Sequence, residues 1–201
     1  ATGRNIRFVH AGSCAEYGRA PAPHREDGPT IPINTYGAFK ADATSRVLAA
    51  PFDVTVVRPF RAIGPGDATS VVAGAARAAL RQHSFEMTEG SQIREWNHAA
   101  TIAQGIMMAG SHPAAIGEVL NLGGGESRSV YDVVKAVFEA AGADVNLIQR
   151  GARPSRPDEP ALLSGDHSKA SGLWGSLAQP SLDQTLAEAV QWTRAQLGCV
   201  A

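Results

Sequence analysis

Apolar residues along the chain alternate between short β-rich runs and longer stretches with helical spacing, and this alternation predicts an α/β fold. Residues 6–11 form an apolar run that ends at Gly12 and predicts a buried strand. Val54-Thr55-Val56-Val57 predicts a second strand, short and β-branched, stopped by Arg58-Pro59. A third is predicted at Val119-Leu120-Asn121-Leu122, closed by Gly123-Gly124-Gly125. The helical periods are clearer. Val130, Val133, Val134, Val137, Phe138 and Ala141 share one helix face. Ser129 with Asp132 resembles a capping box ahead of them, and Gly142 is a natural stop. A last helix starts at Ser181, with Gln184 three residues on, and runs through Leu182, Leu186, Ala189 and Val190 to about Leu197. Two more helices are predicted over Val71–Leu80 and 99–109. The three prolines of residues 153–160 predict an irregular ordered loop.

Composition narrows the classes. A chain of 201 residues suits one large domain, or one domain with a small lobe. With 44% hydrophobic and 18% charged residues it buries a sizeable core. The net charge of -1, from 18 Lys+Arg against 19 Asp+Glu, gives no footprint for nucleic acid or an anionic membrane. Any phosphate binding therefore rests on a few placed arginines. No apolar run approaches the roughly 20 residues that span a bilayer, and residues 1–5 lack the regions of a signal peptide. Two cysteines, Cys14 and Cys199, make no disulfide framework, so a reducing, cytoplasmic setting is expected. His10, His24, His83, His112 and His167 show no ligand spacing, and no metal is expected.

Two short stretches carry chemistry. In Tyr36-Gly37-Ala38-Phe39-Lys40, tyrosine and lysine four apart share a helix face. A nearby ammonium favours tyrosinate, which lets such a tyrosine exchange a proton with a substrate hydroxyl or carbonyl. In Ala11-Gly12-Ser13-Cys14-Ala15-Glu16-Tyr17-Gly18 a hydroxyl stands at a strand end, where α/β sheets bind ligands. Alone, each has a plainer reading. The Tyr-Lys spacing is common by chance, and a serine there is often only a turn residue. Cys14 has no assignable histidine partner and reads as a pocket-lining residue rather than a nucleophile.

Order changes the odds. Strand-Gly-Ser-x-x-x-Tyr-Gly is followed by Glu26-Asp27-Gly28-Pro29, Tyr-x-x-x-Lys, a strand ending in Arg58-Pro59-Phe60, and Gly64-Pro65-Gly66. Then come Gly90-Ser91-Gln92-Ile93-Arg94-Glu95-Trp96, Asn121-Leu122-Gly123-Gly124-Gly125 and Ser129-Val130 at a helix start. Arg156-Pro157-Asp158-Glu159, Asp166-His167-Ser168-Lys169-Ala170 and Pro180-Ser181-Leu182 complete the series. This succession, over nearly the whole chain, resembles the extended short-chain dehydrogenase/reductase family of nucleotide-sugar epimerases, dehydratases and ketoreductases.

The resemblance implies the C-terminal part of a doubly wound parallel-sheet (Rossmann) domain in residues 1–66. A smaller mixed α/β substrate lobe would occupy 67–201, with segments returning to the first domain. It implies an NAD(P)-dependent epimerase or 4-ketoreductase acting on a nucleotide-activated sugar, with NAD or NADP as cofactor. Tyr36 would be the general acid/base, Lys40 would hold the nicotinamide ribose, and Ser13 would orient the reacting oxygen. Phe60 would lie beside the nicotinamide, while Arg94 and Arg156 would grip the diphosphate. A homodimer through the Tyr36–Lys40 helix is also expected.

Departures qualify this. The family's glycine-rich cofactor turn has no counterpart in the 12 residues ahead of Ser13. About 100 residues, half of such a sheet, are therefore expected upstream. Gly123-Gly124-Gly125, read as leading from a strand into a helix, lacks the G-x-G-x-x-G spacing. Cys14 and Ala15 stand where dehydratases place Asp-Glu, which argues against dehydration. Arg61 replaces an asparagine frequent in the sugar pocket, and Asn97-His98-Ala99-Ala100-Thr101 replaces an acidic stretch. These changes keep open a rival from another class, a binding or regulatory protein that kept the fold without catalysis.

Overall fold

The computed structural model describes residues 6–157 and 159–198; Asp158, Cys199 and residues 1–5, all used in the sequence reading, lie outside the described residues. The strands are β1 (Phe8–Ala11), β2 (Val54–Pro59), β3 (Arg61–Ile63), β4 (Phe85–Glu86), β5 (Ile93–His98), β6 (Val119–Leu122), β7 (Glu126–Ser129), β8 (Ile148–Gln149) and β9 (Leu162–Leu163). The helices are α1 (Thr35–Leu48), α2 (Val71–Leu80), α3 (Ala99–Ser111), α4 (Val130–Ala141), α5 (Ser168–Trp174) and α6 (Leu182–Gln196). The chain folds into two compact units.

The first unit takes the chain up to Arg61, Ala100–Gly124 and Leu163–Ala178. Its sheet has the order β1-β2-β6, all parallel, with Ala11 opposite Val57 and Pro59 opposite Leu122. β2 is the central strand, which is why Val54, Val56 and Val57 are buried together instead of alternating. It does not stop at Arg58-Pro59, as the sequence suggests, but continues through both. Arg58 stays in the buried strand because a carboxylate meets it there. Val57, Leu120 and Leu122 pack against Ile102 and Ala109 of α3 and Ala170 of α5.

The second unit takes Ala62–Ala99, Gly125–Leu162 and the chain from Gln179 onward. Its core joins Val72, Ala75, Ala76 and Ala79 of α2 to Val133, Val134, Val137 and Phe138 of α4 and to Leu186, Ala189 and Val190 of α6, around Trp96 of β5. The predicted caps are made. Ser129 accepts from Asp132 N, Gly142 ends α4, and Ser181 with Gln184 forms a reciprocal capping box on α6. β5 and β7 pair antiparallel. β7 corrects the reading of the triple glycine as opening a helix: those glycines lead into a strand, and α4 begins only at Val130. Sequence patterning gave no strand at Ile93–His98 and no helix at Ser168–Trp174, both of which are present.

Candidate active site

Beyond the end of β1 the chain turns through Gly12 into a single 3-10 turn, Cys14–Glu16, capped by Ser13. The Ser13 Oγ accepts the Ala15 N–H at 3.1 Å, and the Glu16 Oε1 accepts the Ser13 N–H at 2.8 Å. Accepting one hydrogen bond leaves the serine its own proton to donate. α1 starts at an Asn34 cap, whose Oδ1 accepts from Gly37 N at 2.8 Å. Near its start the Tyr36 ring is 56% exposed. Lys40, one turn on, donates from Nζ to the Ala11 carbonyl at 2.7 Å, and this Nζ lies 5.8 Å from the centre of the Tyr36 ring. Ser13, Tyr36 and Lys40 are thus gathered around the C-terminal end of β1.

Close approach between α1 and the serine turn depends on glycine. A Cβ on Gly37 would run into the Ala15 carbonyl, and one on Gly12 would run into the Glu16 carboxylate. At Gly37 the obstacle is backbone and closes the position, whereas at Gly12 a side chain would have to displace the Glu16 carboxylate.

Beneath Ser13 lies a buried polar chain that sequence reasoning missed. The Glu16 carboxylate is fully buried. Its Oε1 also accepts from Thr44 Oγ1 of α1 at 3.1 Å, and its Oε2 accepts from Arg58 Nε at 2.9 Å, with the Arg58 Nη2 also 2.9 Å away in the ion pair. Arg58 donates onward from Nη1 to the Tyr17 hydroxyl at 3.0 Å, and Tyr17 donates to Asn121 Oδ1 at 2.7 Å. Burial pushes the Tyr17 phenol up, against a smaller downward pull from Arg58, so it serves as a proton donor to Asn121. The Tyr17 ring stacks on His24 at 4.8 Å between centroids. The one signal available in sequence was a glutamate three residues after Ser13 and an arginine in an otherwise apolar strand. Neither says that the two meet.

Other predicted residues fall in different surroundings. Phe60 is 2% exposed and packs with Tyr17, His24 and His167. Cys14 is half-buried against that cluster. Arg61 is exposed and belongs to the first unit, whereas Arg94 and Arg156 belong to the second. Arg94 is nearly buried; its guanidinium donates to Glu159 Oε1 at 2.9 Å and to its own Ile93 carbonyl at 2.7 Å. Gln92 Nε2 donates to the same Glu159 oxygen at 3.2 Å. Arg156 is exposed, and its carbonyl accepts from Glu159 N at 3.3 Å. His98 ends β5, with Nε2 3.0 Å from Glu188 Oε2.

A dinucleotide fits part of what is present. Tyr36 and Lys40 offer a phenol and an ammonium at the strand ends, suited to the ribose and nicotinamide end. Among the described residues no G-x-G-x-x-G turn follows a strand to take a pyrophosphate. No helix among them is long and apolar enough to cross a membrane.

Known proteins resemble this chain in sequence and fold. Residues 1–123 match the NAD dependent epimerase/dehydratase family. The chain is 27% identical to a UDP-glucose 4-epimerase of Azospirillum brasilense, over 94% of this chain and 61% of that protein. It is 26% identical to a GDP-6-deoxy-D-mannose reductase of Pseudomonas aeruginosa, over 92% of this chain and 65% of that protein. Among solved structures, the UDP-glucuronic acid 4-epimerase of Bacillus cereus in complex with UDP-glucuronic acid and NAD superposes with a TM-score of 0.87 at 23% identity. That match covers 94% of this chain and 62% of the other. The chain spans less than two thirds of each of these proteins.

Proposed function

The chain belongs to the NAD dependent epimerase/dehydratase family, and on that premise we propose that it carries the proton-transfer site of an NAD(P)-dependent epimerase or 4-ketoreductase acting on a nucleotide-activated sugar. The observation that carries the reading is the Lys40 Nζ, fixed on the Ala11 carbonyl and 5.8 Å from the exposed Tyr36 ring, beside a serine that keeps its proton.

Tyr36 moves the proton to or from the sugar C4 oxygen. Lys40 supplies positive charge where phenolate charge develops, which eases proton release from Tyr36 and keeps the phenolate accessible as the base of the reverse step. Ser13 donates its hydroxyl to the same oxygen and orients it. When bound, the nicotinamide supplies or accepts the hydride at the sugar carbon. Tyr36 and Lys40 would hold its ribose end, with Ser13 lining that side, while Phe60, buried against Tyr17, His24 and His167, would support that side from beneath and not by contact. Arg94 and Arg156 would meet the diphosphate, Arg94 sharing its guanidinium with Glu159. Cys14 and Ala15 stand where dehydratases place an Asp-Glu pair, which argues against elimination of water. A second copy would pack on the exposed face of α1.

Tyr36→Phe in the natural protein tests this. Turnover of the responsive nucleotide sugar is expected to fall about 10²- to 10⁴-fold while NADH still binds through Lys40 and the rest of its site. Undiminished turnover would remove Tyr36 from the mechanism.

A further inference from the structure

We propose that Glu16 is a positioning residue for this chemistry, holding the Ser13 hydroxyl in register with the helix that carries Tyr36 and Lys40. The inference rests on the proton-transfer reading above. A fully buried carboxylate is costly unless every oxygen is met, and a well-packed apolar residue would fill a purely structural site without that cost. Here both oxygens are met: Oε1 takes the Ser13 N–H and the Thr44 hydroxyl, and Oε2 takes the Arg58 Nε–H within an ion pair to that guanidinium.

The donors come from three separate elements. Ser13 begins the turn, Thr44 lies on α1, and Arg58 lies on the central strand β2. Thr44 is four residues beyond Lys40, on the same helix face, so one carboxylate oxygen spans the gap between the serine and that face. Through Arg58 and Tyr17 the tie continues to Asn121 on β6, the third strand. Asn121 in turn donates to the His24 and Asp166 carbonyls at 2.9 and 3.0 Å, closing the chain onto backbone. Even Gly12 conforms, since any side chain there would displace the carboxylate. The serine hydroxyl and the tyrosine helix are thus referenced to one buried group that touches no reacting atom. Misplacing an orienting group by about 1 Å is enough to slow catalysis about 10²-fold.

The test uses the natural protein. Glu16→Leu with Arg58→Met removes both charges together and leaves no lone buried ion. The pair is expected to lower kcat about 10²-fold, with substrate KM and NADH Kd within about 3-fold of wild type. In a Ser13→Ala background the same pair is expected to lower kcat no further, because its effect runs through the serine. Thr44→Val, which keeps both charges, is expected to lower kcat about 10-fold at constant KM and serves if the pair does not fold. Wild-type kcat in the pair or in Thr44→Val, or losses that multiply in the Ser13→Ala background, would overturn the role. If wild type turns over no nucleotide sugar, the functional reading itself fails, and amide exchange then decides on Glu16 alone. Exchange at Ser13 is expected to rise at least about 10-fold in the variant, and unchanged protection would overturn the hold.

Discussion

Ser13 joins a local structural task to the catalytic one proposed for it. Its oxygen caps a 3-10 turn by accepting from Ala15, and the proton left over is the one a bound oxygen can receive. The serine, tyrosine and lysine were legible in the sequence because their order along the chain is distinctive even though each alone is commonplace. Glu16 and Arg58 were not, since their pairing joins positions 42 residues apart and only the sheet brings them together. His10 gives a second prediction at this scale. Burial, and behind it the Lys40 ammonium, hold its imidazole below the ordinary value of 6.5. The unfolded chain therefore binds the extra proton first, and stability present above pH 6.5 is lost as pH falls toward the lower folded value. Melting temperature is expected to drop as pH falls below about 6.5, and His10→Gln is expected to flatten that stretch of the curve.

Elements were legible in proportion to how clearly polarity marked their buried faces. The apolar stripe of α4 lies at helical spacing and appears where the pattern places it. Strand β5 reads Ile-Arg-Glu-Trp-Asn-His and gave no strand signal, because it buries Arg94, Glu95 and Asn97 by pairing them. Arg94 meets Glu159, and Asn97 donates to Glu95 and accepts from Gly125 N. The same effect explains β2, where a paired Arg58 prolongs a strand that charge should have ended. Helix α1 is the opposite case. Beside its polar ties through Lys40 and Thr44, its approach to the serine turn depends on a bare contact, Gly37 on the Ala15 carbonyl. Gly37→Ala would favour the helix by about 1 kcal/mol through propensity alone. The clash is expected to outweigh this, lowering both melting temperature and kcat. A rise in melting temperature with normal kcat would show that α1 does not rest on that carbonyl.

Across the whole molecule, each unit is assembled from three stretches of sequence that interleave with those of the other, so chain order alone does not reveal which segments share a core. Exposed apolar residues are better guides to partners. On α1, Phe39 is 67% and Leu48 37% exposed, on the helix that also carries Tyr36. If a second copy packs there, Phe39→Ser is expected to raise the dimer dissociation constant at least about 10-fold by sedimentation. An unchanged constant would move the interface elsewhere.

The most direct measurement is hydride transfer itself. The natural protein is mixed with NAD or NADP and a panel of nucleotide sugars, and the absorbance of reduced nicotinamide is followed through a single turnover. The account predicts that the band rises with at least one nucleotide sugar in wild type and stays flat in Tyr36→Phe. A nucleotide sugar that binds tightly while the band never appears with either cofactor would contradict it, and would make this fold a binding protein that keeps Ser13, Tyr36 and Lys40 without using them.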